Sequence, residues 1–492
     1  MDNSLLSLLK RLWVHVDNRR RAYFFILIII MFLTSIAEVI SIGAVIPFLG
    51  VMTSPETVIN SPYLEPILLY LEISSQSDLL ALFTFIFIIA AIFSGTMRLV
   101  LLWFQTRLSH SVGASIGIEI YRRTLFQPYL RHLSRNSSEV IAGITQKTNA
   151  VVDQVLLPIC NIFGSILILS CILIALISVD PLIAMFSFVG FGLIYLIVIL
   201  ITRSGLSRDG KRISFEKNRI IRALQEGLGG IRDVTLNGTQ LIYVNIFKRS
   251  EIPFRRASAR ITIVSMSPRY AIESLGMILI AFMAYSLATR SEGISSAIPV
   301  LGAFALGAQR LLPVLQQAYG AWQTIRGGQA QFKDAIGLLE QPLPNYLINE
   351  EVKSIDFKKY IKLENLKFKY TEDDSVINNI SIKIDKGSRI GFIGSTGCGK
   401  STLLDIIMGL IEPTEGKFLI DETEIDFKNT RSWQKHIAHV PQSIFLSDST
   451  IAENIAFGVP KDQIDHSKIE FAAKQAQLND LVDKWEQKYD TK

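Results

Sequence analysis

Arg389–Ile390–Gly391–Phe392–Ile393, then Gly394–Ser395–Thr396–Gly397–Cys398–Gly399–Lys400–Ser401, then Thr402–Leu403–Leu404–Asp405–Ile406–Ile407 is the stretch that decides the fold of the C-terminal part. Its centre fits G-x-x-x-x-G-K-[ST]. The order of a short apolar run, a glycine loop and a helix-forming run is the context in which that pattern carries chemistry. Glycines let successive backbone N–H groups turn inward around phosphates, and the N-terminal end of the next helix adds a positive dipole. Lys400 supplies a charge for the β- and γ-phosphates, the Ser401 hydroxyl is the candidate Mg²⁺ ligand, and Thr402 follows as the next loop-proximal candidate. Cys398 is a passenger in the loop with no redox role assigned to it.

Around this loop the residues read as an α/β nucleotide-binding fold. Ile361–Tyr370 and Val376–Ile384 are predicted strands, Arg389–Ile393 a short buried strand, and Ser401–Leu410 a helix. Upstream, Gln341–Pro342–Leu343–Pro344–Asn345 cannot continue a helix, because proline lacks the donor and clashes with the preceding turn. The expected organisation is therefore residues 1–340, a linker over 341–360, and a nucleotide domain over 361–492.

Residues 1–340 have a different character. Hydrophobic residues make up 49% of the 492-residue chain and mean hydropathy is +0.34. The apolar residues cluster into runs long enough for a hydrocarbon core of about 30 Å. Six spanning helices are predicted near 22–49, 78–110, 150–179, 181–203, 261–289 and 298–322, several of them projecting beyond the bilayer. No Lys or Arg lies between Arg21 and Arg98, whereas basic residues crowd the segments after the second and fourth helices. That asymmetry predicts a multi-pass inner or plasma membrane protein with both termini cytoplasmic. It also accounts for the net charge of +6 without a nucleic-acid partner. Leu5–Val16 reads as an amphipathic segment suited to the inner membrane surface. Gly227, Gly229 and Gly230, and the pair Asn237–Gly238, should turn the chain in the second cytoplasmic interval.

The glycine loop, the aromatic Tyr370 before it, Val440–Pro441–Gln442 and Thr450–Ile451–Ala452–Glu453–Asn454–Ile455 resemble the nucleotide-binding domain of ABC exporters. Six helices ahead of one such domain resemble the exporter half-transporter layout, so the likeness covers nearly the whole chain. It implies ATP and Mg²⁺ as cofactors, Tyr370 stacked on adenine, and Gln442 at Mg²⁺ or the attacking water. It also implies a homodimer or a partner half-transporter. A family-type signature loop, catalytic glutamate and switch histidine are not found after Gln442, and His466 is not in a matching context. Residues 361–492 are therefore expected to form an incomplete domain that binds nucleotide without turning it over alone, and no catalytic residue is assigned.

Ionisable residues at bilayer depth are costly and point to function. Glu38, Arg98, Arg269 and Arg310 are the candidates, and the three arginines suit an anionic headgroup, since guanidinium stays charged and offers paired donors to phosphate oxygens. The segments 37–43, 268–270 and 309–313 resemble the lipid-linked oligosaccharide flippase branch of ABC exporters. The implied cargo is a polyprenyl-diphosphate-linked glycan or another glycolipid. A non-hydrolysing nucleotide-binding membrane subunit or inactive fragment, and a peptide or drug exporter, are the competing readings.

Overall fold

A serine cap opens the first helix. The Ser4 hydroxyl accepts the Ser7 N–H at 3.3 Å, and α1 (Leu5–Val14) follows with Leu8 and Leu12 buried on one face. The computed structural model describes residues 4–53, 76–134, 137–179, 181–288, 294–343, 355–371, 374–426, 428–442 and 444–492. They fall into two compact units, Met1–Asn345 and Tyr346–Lys492.

The described part of the first unit is almost wholly helical. After α1 come α2 (Asn18–Gly43), α3 (Val45–Thr53), α4 (Gln76–Leu125), α5 (Tyr129–Leu133) and α6 (Ser137–Val151). A single π turn at Val152–Leu156 joins α6 to α7 (Leu157–Val179). Next are α8 (Pro181–Gly229), α9 (Ile231–Leu236), α10 (Gln240–Ala288) and α11 (Ile294–Leu339). The predicted first span is broken at Ala44, because Pro47 has no N–H for the Gly43 carbonyl and its ring crowds that turn. The chain turns at Gly230 and at Gly238, where the sequence expected it to. Among the described residues Asn18–Thr53, Ser77–Leu125 and Ile144–Ala175 are long and apolar enough to cross a membrane.

The core forms where α1, α2, α4, the α6–α7 junction and α11 meet. Leu108, Val112, Ile116 and Ile120 recur every four residues on α4 and pack with Leu27, Val151, Val155, Phe332 and Ile336. The stripe Phe25, Ile29, Phe32 and Ile36 on α2 faces outward instead, as a lipid-facing surface requires. α11 lies so close to the π turn that a Cβ on Gly328 would collide with the Gln154 side chain. The apolar face of α1 is turned to protein rather than to a membrane surface. Leu8 and Leu12 join the same core, and Arg11 Nε donates to Glu340 at 2.7 Å. That hydrogen bond holds the Glu340 carboxyl below the usual carboxylate range.

The second unit carries a four-stranded antiparallel sheet in the order β2–β1–β3–β4, formed by β1 (Tyr360–Thr371), β2 (Asp374–Asp385), β3 (Glu415–Ile420) and β4 (Thr423–Glu424). Leu363 opposes both Ile382 and Phe418, and Phe368 opposes Ile377, which sets one buried face. α12 (Lys400–Ile407) contributes Leu403 and Ile406 to the interior, and α13 (Thr430–Gln434) contributes Trp433. Trp433 donates its indole N–H to the Ile407 carbonyl at 2.7 Å and meets Phe357 and Phe418 edge-on. Trp433→Ala should therefore destabilise this unit by roughly 3–5 kcal/mol. Limited trypsin digestion against temperature reads that loss, and an unshifted cleavage midpoint would contradict it.

One expectation fails. Arg389–Ile393 pairs with no strand among the described residues, and Ile393 is 99% exposed. β1 is already flanked by β2 and β3, and an apolar run becomes a strand only where a neighbour offers ladder partners. The helix after the loop matches its expectation within a few residues, as Lys400–Ile407 against 401–410.

Candidate functional sites

Among the described residues, each unit carries a candidate site. In the second unit the loop 394–399 is shaped by its glycines. Gly399 has φ +90°, and a Cβ there would stand 3.0 Å from the Val376 carbonyl oxygen, so strain and crowding both exclude a side chain. The Lys400 ammonium folds back across the loop and donates to the carbonyls of Gly394 and Ser395 at 2.9 and 2.8 Å. Cys398 Sγ lies 3.7 Å from the same nitrogen. Ser401 is exposed at the start of α12, whose first-turn N–H groups have no intrahelical acceptors. An ammonium, backbone donors and an accessible hydroxyl together suit a triphosphate and its cation.

Thr402 is buried, and its hydroxyl lies 3.2 Å from the Tyr370 hydroxyl. Tyr370 is 45% exposed and meets Phe368 edge-on at 4.9 Å. The structure thus joins Tyr370 at the end of β1 to the loop helix through Thr402, which the sequence grouped only with the loop. Gln442 is exposed at a bend in the irregular stretch after His439, and among the described residues no hydrogen bond joins it to Ser401. Between the helix and that stretch, burial pushes the Asp405 carboxyl up while His439 opposes the shift. The segment 450–455 has a plain structural basis. It is α14 (Ile451–Ile455), where Thr450 and Glu453 form a capping box and Asn454 fastens the 447–449 turn.

The second site lies among the membrane helices. Glu38 on α2 is 0% exposed. One oxygen accepts Arg98 Nε of α4, and the other accepts Arg310 Nη1 of α11 at 2.8 Å. The two arginine side chains keep 44% and 27% exposure. Arg269 sits on α10, and its side chain lies outside the described residues, so the structure joins two of the three predicted arginines. Roughly 10 Å further along both helices a neutral rung repeats the connection. Asn161 Oδ1 on α7 accepts Gln105 Nε2 of α4 at 3.2 Å and Gln317 Nε2 of α11 at 3.1 Å. Sequence spacing singled out Glu38 without joining it to any arginine, because the partners are far apart in the chain.

A helical unit with apolar spans and a unit bearing an ATP-type phosphate loop define a nucleotide-binding membrane protein. Residues 377–491 match the model of the ABC transporter family. They belong to that family, and such a domain binds ATP. The chain is 26% identical over 311 residues to the heterocyst differentiation ATP-binding protein HepA of a Nostoc species, covering 61% of this chain and 50% of that protein. It is 28% identical over 298 residues to an ATP-dependent lipid A-core flippase of Chromohalobacter salexigens, again spanning 60% of this chain and 50% of the relative. The chain spans about half the length of these curated relatives. A solved bacterial Atm1-family ABC exporter with ATP bound matches with a TM-score of 0.68 and 18% identity, over 96% of this chain and 80% of the other. The chain has the ABC exporter fold.

Proposed function

We propose that this chain is an ABC exporter half that uses ATP to move an anionic, lipid-linked glycan or related glycolipid across a membrane, as a homodimer or with a partner half. In this reading residues 1–340 are a multi-pass membrane domain with both termini cytoplasmic, 341–360 a linker, and 361–492 part of the ATP-binding domain. The observation that carries the substrate class is the arginine pair on buried Glu38. Two guanidiniums share one carboxylate within the spanning helices, which leaves net positive charge where an anionic headgroup would travel.

At the nucleotide site, Gly394–Thr402 would cradle the phosphates and Lys400 would move from the loop carbonyls to the β- and γ-oxygens. Ser401, with Gln442, would hold Mg²⁺, and the Tyr370 ring would lie against adenine. Mg²⁺, when bound, screens the charge between the β- and γ-phosphates. The short helices α5 and α9 sit at the turns of the long helices and expose Leu133, Ile231 and Leu236, which supports a role in passing motion between the domains.

The test is ATPase activity of a full-length version of the protein in proteoliposomes. A polyprenyl-diphosphate-linked glycan should stimulate it at least about threefold, and peptides or neutral amphiphiles should not. Stimulation by peptides alone would overturn the substrate class.

A further inference from the structure

We infer that Glu38 is a built-in counter-anion, seated on Arg98 and Arg310 where the cargo's anionic headgroup binds and displaced when that headgroup arrives. This inference rests on the anionic-lipid reading proposed above. Each arginine gives one donor to Glu38, although a guanidinium carries five. The carboxylate is sealed at 0% exposure, whereas both arginines remain partly accessible, so their outer edges are the part a ligand can reach.

Charge argues for exchange. Two cations against one anion leave an excess of one positive charge at bilayer depth, which a further anion would neutralise. A diphosphate has more acceptor oxygens than a carboxylate and matches the planar fork of both arginines. Helix packing does not depend on the ionic contact alone. The neutral rung of Gln105, Asn161 and Gln317 ties α4 and α11 through α7, and Thr34 of α2 lies 3.4 Å from the Met97 carbonyl of α4. Those links hold the register while the ion contact opens. A resident carboxylate also aids release, since it competes for the arginines when the headgroup leaves.

The experiment measures binding to the native protein in neutral-lipid nanodiscs, with farnesyl diphosphate, inorganic diphosphate and farnesol as probes. Farnesyl diphosphate should bind the parent and bind Arg310→Ala at least about tenfold more weakly. Glu38→Gln keeps the shape but removes the competing charge, and should bind roughly tenfold tighter, the scale of one charge-assisted contact regained. Unchanged or weaker binding by Glu38→Gln, with the Arg310 effect intact, overturns the counter-anion role and leaves the anionic-lipid reading standing. A parent that binds neither diphosphate, or binds farnesol equally well, overturns both. Inorganic diphosphate binding as tightly as the lipid form supports the seat while showing that the tail adds nothing. If Glu38→Gln does not elute as the parent does, Glu38→Asp decides. Its shorter side chain cannot span both arginines, so it should bind several-fold tighter, and parent-like affinity would overturn the proposal.

Discussion

Lys400→Ala abolishes ATP binding, with affinity for a fluorescent ATP analogue falling by about two decades or more. The ammonium reaches two loop carbonyls from the start of α12, so it stands at the mouth of the loop rather than out in solvent. Phosphate oxygens would replace those carbonyls as its acceptors. A hydrogen bond to a charged group contributes about 1.5–3 kcal/mol, and two of them correspond to roughly two to four decades at 1.4 kcal/mol each. The substitution also removes the brace that ties Gly394 and Ser395 to the helix. Thr402→Val is the control. It breaks the contact with Tyr370 but keeps the phosphate donors, and should weaken binding only several-fold. The measurement is analogue titration of the purified protein in detergent. Unchanged affinity in Lys400→Ala would remove the phosphate-loop assignment.

In a full-length version of the protein, Arg310→Ala cuts glycolipid flipping by roughly one to two decades while basal ATPase falls far less. An arginine at bilayer depth is penalised by about 2.5–3.5 kcal/mol on insertion scales, a cost that an anionic ligand would offset. With Arg310 gone, Arg98 and Glu38 neutralise each other, and the excess positive charge that would attract a diphosphate disappears. Arg310→Lys should rescue in part, because an ammonium restores the charge but not the planar fork. The pair Glu38→Gln with Arg310→Ala restores one net positive charge through Arg98, so the double variant should recover part of what Arg310→Ala alone loses. Transport of a fluorescent diphosphate-linked glycolipid in proteoliposomes, with ATPase recorded in parallel, reads both quantities. Flipping at the parent rate in folded Arg310→Ala would make the arginine structural and end the headgroup proposal.

Much of the architecture was legible along the chain because its signals are local. A glycine loop ending in Lys400–Ser401 needs no distant partner to be recognised, and the backbone angle at Gly399 is what that pattern demands. Helix positions followed from apolar runs, and the turns at Gly230 and Gly238 from residues that favour them. The failure at Arg389–Ile393 has the opposite character. Apolar composition signals burial, but a strand exists only through a neighbour, and the described sheet offers it none. The amphipathic Leu5–Val14 shows the same limit. Its pattern specified an apolar face, not whether lipid or α11 would cover that face.

The sequence by itself determined the class of each half, namely apolar spanning helices and a phosphate-binding loop, because hydrophobic periodicity and backbone permissiveness are properties of neighbouring residues. It also marked Glu38, Arg98 and Arg310 as anomalous, since a charge within an apolar run is visible without coordinates. Only the tertiary structure decided that these three form one ionic cluster, that Asn161 gathers Gln105 and Gln317 beside it, and that Thr402 fastens Tyr370 to the loop helix. Those contacts join residues on different helices or on a strand and a helix, and Coulomb and hydrogen-bond partners are set by distance in space, which the packing of those elements fixes and the linear spacing does not.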